Sequence, residues 1–426
     1  MASPTLRRRR VLLVETNEDG TTGGSYRALC DLVRRLDRRR FEPRVVLYQR
    51  GPAAAEIEAA GVTVEAWDEI REAERAFSGP QRPGRRLRGV FEAIRRRAHG
   101  MRAAGIDLVH LNNSPGVGFD DWLPAARLAG IPCLTHVRGP FPTAGSAVGR
   151  WLQQRFDAVI AVSRWMERAA TAAGIPEGRV RVVYDGVDRE ALAGALRRQP
   201  AAVRAELGLA ADDFLVLLAG HLRPWKGQRL ALEALARTSP RLRARLRLVL
   251  AGAAPPAEAA YREELEAFAR EEGLGACVRI LGERRDIPDL MRAADVVLHA
   301  STSPEPFGLV VAEAMALGRP VVAARLGGPC EIVTEGSGLL FDPSRPDELS
   351  FLLEQLYEQP QLRERLGAAG LSRAADFDIR HTVAGVERCY AGLLGLSDAA
   401  DADPTRPAPA AASAPGATRG TIGGTL

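Results

Sequence analysis

The sequence predicts an α/β protein with two doubly wound parallel sheets. Its 426 residues exceed what a single core holds and suit two domains of about 150 to 200 residues each. Short runs of Val, Leu and Ile alternate with stretches of helical period, a pattern typical of parallel strands covered by helices on both faces. Polar and Gly residues cluster directly after several of these runs. Because ligands bind beyond the carboxyl ends of parallel strands, this placement predicts a cleft between two facing sheets.

The predicted strands are short apolar runs bounded by turn residues. In the first half of the chain they are Val11–Glu15, Arg44–Tyr48, Val62–Ala66, Leu108–Asn112, Cys133–Val137, Ala158–Val162 and Val180–Tyr184. In the second half they are Leu215–Ala219, Arg247–Ala251, Val278–Leu281, Val296–Ala300, Val321–Ala324 and Leu339–Phe341.

We expect four segments along the chain. The first domain spans residues 1–190 and the second 191–378, because strand character gives way at Asp188–Pro200 to sequence that contains Arg, Ala and Pro. A helix at 379–396, centred on Ile379–Leu394, follows the second domain and is expected to pack back on the first. Residues 397–426 are mostly Ala, Pro, Gly and Thr and cannot bury enough apolar surface to order themselves, so they are predicted to be a disordered tail.

The composition narrows the class of protein. The formal net charge is +5 and aromatic residues make up only 5% of the chain, which disfavours a nucleic-acid groove. The five Cys residues form no CxxC pair, which indicates a reducing compartment and no structural zinc. No apolar run reaches the length of a membrane span, and the basic start lacks the apolar core of a secretory signal. We therefore expect a cytoplasmic protein.

Lys226 is the single lysine among the 58 basic residues of the chain. A bias towards Arg replaces lysine wherever a generic charge serves, so a surviving lysine suggests a site that needs a compact ammonium rather than a planar guanidinium. The alternative is chance survival of one codon. Lys226 follows the predicted strand Leu215–Ala219 within a turn rich in Gly and Pro, where a ligand-binding residue is expected.

Two acidic residues mark the stretch after the predicted strand Val296–Ala300. Glu313 is the one polar residue between Leu309 and Leu317, in a predicted helix that is apolar on every face and therefore buried. A buried carboxylate needs a partner; a ribose diol is one, and a salt bridge to a core Arg is the alternative. Pro306 is predicted to open this helix. Glu305 precedes the helix, where it could bind a ligand or cap the helix.

Glu305 and Glu313, in a strand–turn–helix unit, resemble the signature of the retaining glycosyltransferases of family GT4, which have the GT-B fold. The likeness covers residues 10–395. Further matching segments are Gly20–Ser25, Leu134–His136, Val182–Asp188 and Leu326–Glu331.

The resemblance implies a role for each matching residue. Glu313 would hold the ribose of a nucleotide sugar and Glu305 the hydroxyls of its sugar. Lys226 would neutralise the diphosphate, and His136 would lie near the 6-position of the sugar. The remaining implied contacts are the backbone of Phe307, Gly308 and Leu309 on the donor, Gly24 at the diphosphate, and the loop of Gly23 and Gly24 on the acceptor side.

Two positions depart from the family pattern. The family carries an Arg five positions before its Lys, where this chain has His221. Arg223, three residues before Lys226, is our candidate for the same phosphate contact. Asp185 replaces the Asn of the usual Asn-Gly-Val-Asp turn, a conservative change.

Arg82–Arg102 is predicted to be a basic amphipathic helix, because Leu87, Val90, Phe91 and other apolar residues recur at helical spacing among Arg85, Arg86, Arg88, Arg95, Arg96, Arg97 and Arg102. Such a helix can lie on an anionic bilayer, which would suit a lipid-linked acceptor. The alternative is a domain helix whose apolar stripe belongs to the core.

The sequence therefore predicts a retaining hexosyltransferase that moves a sugar from a nucleoside diphosphate to a hydroxyl acceptor, with no metal and no cofactor. A front-face mechanism is preferred, since no pair of carboxylates is set for covalent double displacement. A non-catalytic GT-B binding protein and a pyridoxal-phosphate phosphorylase remain the alternatives, the second because Lys226 could form a Schiff base. The identity of the base, the sugar and the acceptor is left open.

Overall fold

The computed structural model describes residues 7–16, 23–48, 50–66, 83–113, 122–139, 147–255 and 258–396. The predicted tail at 397–426 lies outside these residues, as do residues 20–22 of the glycine-rich segment.

The first half of the chain forms a parallel sheet of seven strands in the order β3-β2-β1-β4-β5-β6-β7. Its strands are β1 Arg9–Glu15, β2 Phe41–Leu47, β3 Thr63–Ala66, β4 Leu108–Asn112, β5 Cys133–Val137, β6 Ala158–Ala161 and β7 Val180–Val182. All seven match predicted strands. The start of β2 differs most from its predicted position. The strand begins at Phe41, which pairs with Arg9, whereas the predicted run began after Pro43, because proline is unusual inside a strand. Since β3 joins β2 only from Arg44 onward, the missing N–H of Pro43 leaves no ladder bond unmade on that side.

The second half forms a parallel sheet of six strands in the order β10-β9-β8-β11-β12-β13. Its strands, each close to a predicted run, are β8 Phe214–Ala219, β9 Leu246–Ala251, β10 Val278–Gly282, β11 Val296–His299, β12 Val321–Ala324 and β13 Leu339–Phe341. The prediction of two doubly wound sheets is confirmed.

Helices follow the strands of both sheets. In the first half they are α1 Gly24–Arg35, α2 Pro52–Ala59, α3 Pro83–Ala103, α4 Trp122–Ala129, α5 Ala147–Gln153, α6 Arg164–Ala172 and α7 Arg189–Ala195. In the second they are α8 Pro200–Glu206, α9 Gln228–Ala236, α10 Pro240–Arg245, α11 Ala259–Glu271, α12 Ile287–Ala293, α13 Leu309–Ala316, α14 Pro329–Ile332, α15 Pro346–Glu358, α16 Pro360–Arg373 and α17 Ile379–Leu394.

Helix α17 returns to the first sheet, as predicted. Its residues Ile379, Val383, Val386 and Tyr390 share one apolar cluster with the core of the first half. The ring of Tyr390 packs edge-on against Phe41, with 5.4 Å between ring centroids. The chain crosses between the halves at Val187 and at Asp378, and these two segments lie side by side: the N–H of Val187 donates to the carbonyl of Phe377 at 2.8 Å.

Helix α3 places its apolar stripe in the core. Val90, Ala93, Ala98 and Met101 are buried, whereas Phe91 is 59% exposed. This packing favours the second interpretation of the stretch Arg82–Arg102, and contact with a membrane surface stays a prediction. No helix in the described ranges has both the length and the apolarity needed to cross a bilayer.

Candidate functional site

The centre of the second sheet is the point where the strand order reverses. Strands β8 and β11 are neighbours there, and the chain proceeds from them towards opposite edges of the sheet. The segments that leave these two strands diverge and open a crevice, the usual ligand site of doubly wound sheets. They contain Lys226 and Glu305, respectively.

The turn after β8 lies directly against the end of β11. Pro224–Lys226 form one 3₁₀ turn, and Gly227 then adopts a left-handed conformation with φ 75°. A Cβ at Gly227 would lie 1.8 Å from the carbonyl oxygen of Ala300, so no other residue permits this approach. The approach places Lys226 Nζ 2.9 Å from Glu305 Oε1. The same ammonium lies 4.4 Å from the ring centroid of Trp225.

Glu305 is held at both carboxylate oxygens. Lys226 contacts Oε1, whereas Oε2 is 2.6 Å from His299 Nε2 and 2.9 Å from the hydroxyl of Ser301. Burial by itself raises the pKa of Glu305, but Lys226 and His299 outweigh it and hold that pKa well below its usual range. The carboxylate therefore stays ionised.

Sequence reasoning missed His299 and Ser301. His299 ends β11 and is buried, and the residues before it are the apolar run Val296 to Leu298. The available signal was a polar residue at the carboxyl end of an apolar strand, where ligands bind in this fold. The same signal indicated candidate residues after other strands.

The loop between Glu305 and α13 differs from its predicted form. The helix begins at Leu309 with Gly308 as N-cap at φ 105°, so the prediction that Pro306 opens it is wrong. Gly308 turns the chain before the helix can start, because only glycine adopts this φ readily. Phe307 is buried against Tyr184 of the first half, with ring centroids 6.3 Å apart.

Contacts with the first half hold this loop. The hydroxyl of Ser163 donates to the carbonyl of Pro306 at 2.6 Å. Beside it, the carboxylate of Glu331 accepts the backbone N–H groups of Arg164 at 2.9 Å and Trp165 at 2.7 Å, the first residues of α6. The hydroxyl of Tyr184 donates to Glu331 at 2.9 Å. Side chains of each half thus satisfy backbone groups of the other.

Glu313 pairs with an arginine from across the cleft. Its Oε1 accepts from Arg27 Nη1 at 2.6 Å, and its side chain is 10% exposed whereas that of Arg27 is 48% exposed. Burial raises the pKa of Glu313, and Arg27 opposes this. The predicted alternative of a salt bridge is thus present, although Arg27 is a half-exposed residue of α1 instead of a core residue.

His136 lies at the carboxyl-terminal part of β5, among residues of the first half. It is fully buried, stacks on His110 with 5.5 Å between ring centroids, and its Nε2 lies 3.8 Å from Asp185. Neither ring nitrogen has a hydrogen-bond partner among the described residues. Burial, reinforced by Arg138, holds the pKa of His136 well below its usual value, so the imidazole is neutral.

The other predicted side-chain and glycine positions are Gly23, Gly24 and Arg223. Gly23 caps α1 and has open space where a Cβ would lie, whereas Gly24 faces Leu309 Cδ1 at 3.5 Å. Arg223 precedes the turn of Lys226, and its Nε is buried with no hydrogen-bond partner among the described residues. In the described ranges, no three His, Cys, Asp or Glu side chains are grouped so as to hold a metal ion.

Comparison with known proteins agrees with this architecture. Residues 22–191 match the family described as Glycosyltransferase Family 4, and residues 201–373 match the family described as Glycosyl transferases group 1. A D-inositol 3-phosphate glycosyltransferase of Acidothermus cellulolyticus is 33% identical over 334 residues, which are 72% of this chain and 71% of that protein. The chain belongs to glycosyltransferase family 4. The family recognised in the sequence is thereby confirmed.

The family 4 chain has further relatives in sequence and in structure. A D-inositol 3-phosphate glycosyltransferase of Frankia alni is 37% identical over 51% of this chain and 54% of its own length, so the chain spans about half of such relatives. The crystal structure of Anabaena HepE with UDP-glucose is 28% identical, with a TM-score of 0.74, and covers 90% of this chain and 99% of HepE. This likeness confirms the predicted GT-B fold.

Proposed function

We propose that the chain is a retaining hexosyltransferase that moves a sugar from a nucleoside diphosphate to a hydroxyl acceptor. The observation that carries the proposal is the contact of Lys226 with Glu305 at the reversal point of the second sheet. It supplies a fixed ammonium and an ionised carboxylate at the edge where ligands of this fold bind. The relatives with glycosyltransferase names support the same conclusion.

In the proposed mechanism Lys226 stabilises the leaving diphosphate. Negative charge grows on that group as the bond to the sugar breaks, so a nearby ammonium stabilises the transition state more than the ground state. Glu305 would accept hydroxyl hydrogens of the sugar, since Oε1 accepts from one donor among the described residues and a carboxylate oxygen can accept two. Glu313 would accept the ribose hydroxyls. The leaving phosphate would take the proton of the acceptor on the same face of the sugar.

The donor and acceptor that we propose follow from the relatives. HepE was crystallised with UDP-glucose, which makes a UDP-hexose the first donor to examine. The relatives named D-inositol 3-phosphate glycosyltransferase make an inositol phosphate the first acceptor. The first-half edge around Gly23, with open space beside it, is the proposed acceptor side.

The ion pair of Lys226 bears on the two alternatives. A Schiff-base lysine bonds covalently to its cofactor, whereas Nζ of Lys226 is engaged in an ion pair with Glu305 at 2.9 Å. This contact disfavours the phosphorylase, and a purified protein without the absorbance band of pyridoxal phosphate would agree. Only a measurement of activity distinguishes the transferase from a non-catalytic binding protein.

The test begins with thermal-shift screening against UDP-, GDP- and ADP-sugars, since a ligand that binds only the folded state raises its melting temperature. Release of nucleoside diphosphate from the best donor is then measured with D-inositol 3-phosphate as acceptor. We expect Glu305→Ala and Lys226→Ala to lose at least a hundredfold in kcat, the size of effect typical for removing one such contact. The exposed Glu335→Ala serves as the matched control.

Equal release by the wild type and both variants would favour a binding protein. The anomeric configuration of the product, read by NMR, tests retention separately, and an inverted product would overturn the front-face mechanism.

A further inference from the structure

The carboxylate of Glu305 is restrained independently of Lys226. His299 and Ser301 both contact Oε2, at 2.6 Å and 2.9 Å, whereas Lys226 contacts only Oε1. His299 is 4% exposed and Ser301 is 1% exposed, so both are fixed by packing at the end of β11. Lys226 is on the cleft side, and its side chain is 20% exposed.

The geometry determines which nitrogen of His299 carries a proton. An ionised carboxylate only accepts, so at 2.6 Å His299 Nε2 must donate its N–H to Glu305 Oε2. His299 Nδ1 is buried with no hydrogen-bond partner among the described residues. The hydroxyl of Ser301 then directs its hydrogen to the same carboxylate oxygen.

We propose that His299 is a positioning residue for the sugar transfer, which together with Ser301 fixes the Glu305 carboxylate so that Lys226 can turn to the diphosphate alone. This inference rests on the proposed function. A diphosphate carries more negative charge than one carboxylate and attracts the ammonium when the donor binds. A carboxylate held only by Lys226 would follow the ammonium or lose its compensating charge. The two donors on Oε2 keep Glu305 both oriented and ionised when that happens.

The charged and titratable side chains that face Glu305 in the described part of the chain are Lys226, from the turn after β8, and His299, from β11. The segment Gly327–Gly328 packs against Glu305 with backbone only, and the N–H of Gly328 donates to the carbonyl of Glu305 at 2.7 Å. Loss of the His299 donor therefore leaves the hydroxyl of Ser301 as the one donor to Oε2 among the described residues.

The experiment compares His299→Leu and His299→Gln with the wild type, using whichever donor of the UDP-, GDP- and ADP-sugar panel turns over fastest. His299→Leu removes the donor, while His299→Gln restores an N–H of similar reach. His381→Gln is the control, because His381 is exposed and belongs to another element, the start of α17. For each variant kcat and KM are measured at one neutral pH, and circular dichroism establishes that it folds.

We expect His299→Leu to lower kcat at least tenfold, with a change in donor KM below threefold. The loss should fall on kcat, because the carboxylate is no longer held in place once Lys226 turns to the diphosphate. His299→Gln should recover part of kcat. If His299→Leu does not fold, Ser301→Ala removes the other donor from the same oxygen and should lower kcat in the same way, with donor KM changed less than threefold.

An active wild type whose His299 and Ser301 variants keep the wild-type kcat would overturn the inference and leave the proposed function standing. Equal losses of kcat in His299→Leu and His299→Gln would mean a merely structural role and overturn it too. A wild type that turns over no donor of the panel would overturn the proposed function, and this inference with it.

Discussion

Arg27 and Glu313 form an ion pair across the cleft, with 2.6 Å between Nη1 and Oε1. Arg27 belongs to α1 of the first half and Glu313 to α13 of the second. The guanidinium covers a carboxylate that is otherwise buried, and it does so from the solvent side. A ribose that used Glu313 would therefore have to share the carboxylate with Arg27 or displace it.

We predict that Arg27→Met binds UDP two- to fivefold more tightly than the wild type, because the nucleotide no longer competes with the guanidinium. The size corresponds to about 0.5–1 kcal/mol for a pair whose arginine is half exposed. Isothermal titration calorimetry measures it, with the exposed Arg39→Met as control. Weaker binding of UDP by Arg27→Met would show that Arg27 contacts the nucleotide instead of competing with it for Glu313.

Glu331→Ala should weaken the contact between the two halves. The change leaves two N–H groups of α6 and the hydroxyl of Tyr184 without their acceptor. We expect about a tenfold loss in kcat/KM, equivalent to about 1–2 kcal/mol for a lost helix cap. Small-angle scattering should show a larger radius of gyration without ligand. Glu335→Ala, exposed nearby in sequence, should match the wild type in both measurements, and a wild-type result for Glu331→Ala would contradict the prediction.

His110 should make the fold sensitive to acid. Burial, with a smaller contribution from Arg138, lowers the pKa of His110 to about 3. The unfolded chain takes up this proton near pH 6.5 and the folded chain does not, so stability is present above pH 6.5 and falls as the pH drops towards 3. At pH 5 the loss from one such histidine is about 2 kcal/mol.

We therefore expect His110→Gln to reduce the difference in unfolding free energy between pH 7.5 and pH 5 by about 2 kcal/mol. Urea denaturation at the two pH values measures it. His381→Gln, an exposed site, should keep the wild-type difference. An unchanged difference in His110→Gln would mean that the folded protein also protonates this ring.

Gly227→Ala should cost more stability than Gly273→Ala. Both glycines have left-handed φ, 75° and 67°, so an alanine at either site costs about 1–2 kcal/mol. Only at Gly227 would the Cβ also meet backbone, the carbonyl of Ala300, while nothing lies within 4 Å at Gly273. We expect at least about 2 kcal/mol more at Gly227, measured by thermal unfolding, and equal losses would contradict the geometry.

The sequence predicted the fold well because parallel strands buried on both faces leave a strong local signal. All thirteen strands lie within a few residues of predicted runs, and α17 has the predicted bounds Ile379–Leu394. The strand ends that carry Lys226 and Glu305 also followed from the rule for ligand sites in such sheets. Their contact at 2.9 Å is the meeting that this rule anticipates.

The sequence could not predict contacts made across long separations. Arg27 is one of 57 arginines and lies 286 residues from Glu313, so nothing local distinguishes it. His299 was passed over because a histidine after Val296 to Leu298 looks like any strand end. Helix α13 starts at Leu309 because of the φ of Gly308. The sequence indicated a start at Pro306, two residues before Gly308, because proline is common at the first position of a helix.

The crossing of the chain at Val187 and Asp378 joins the first half to the segment that follows the second half. The apolar interior of the first half includes Tyr390, which is fully buried and packs against Phe41 from much earlier in the chain. During synthesis the seven-stranded sheet therefore emerges from the ribosome long before the helix that closes it, and its apolar side stays open until residues Ile379–Leu394 have been translated. Expression of either half alone would leave that side uncovered or that helix without its support.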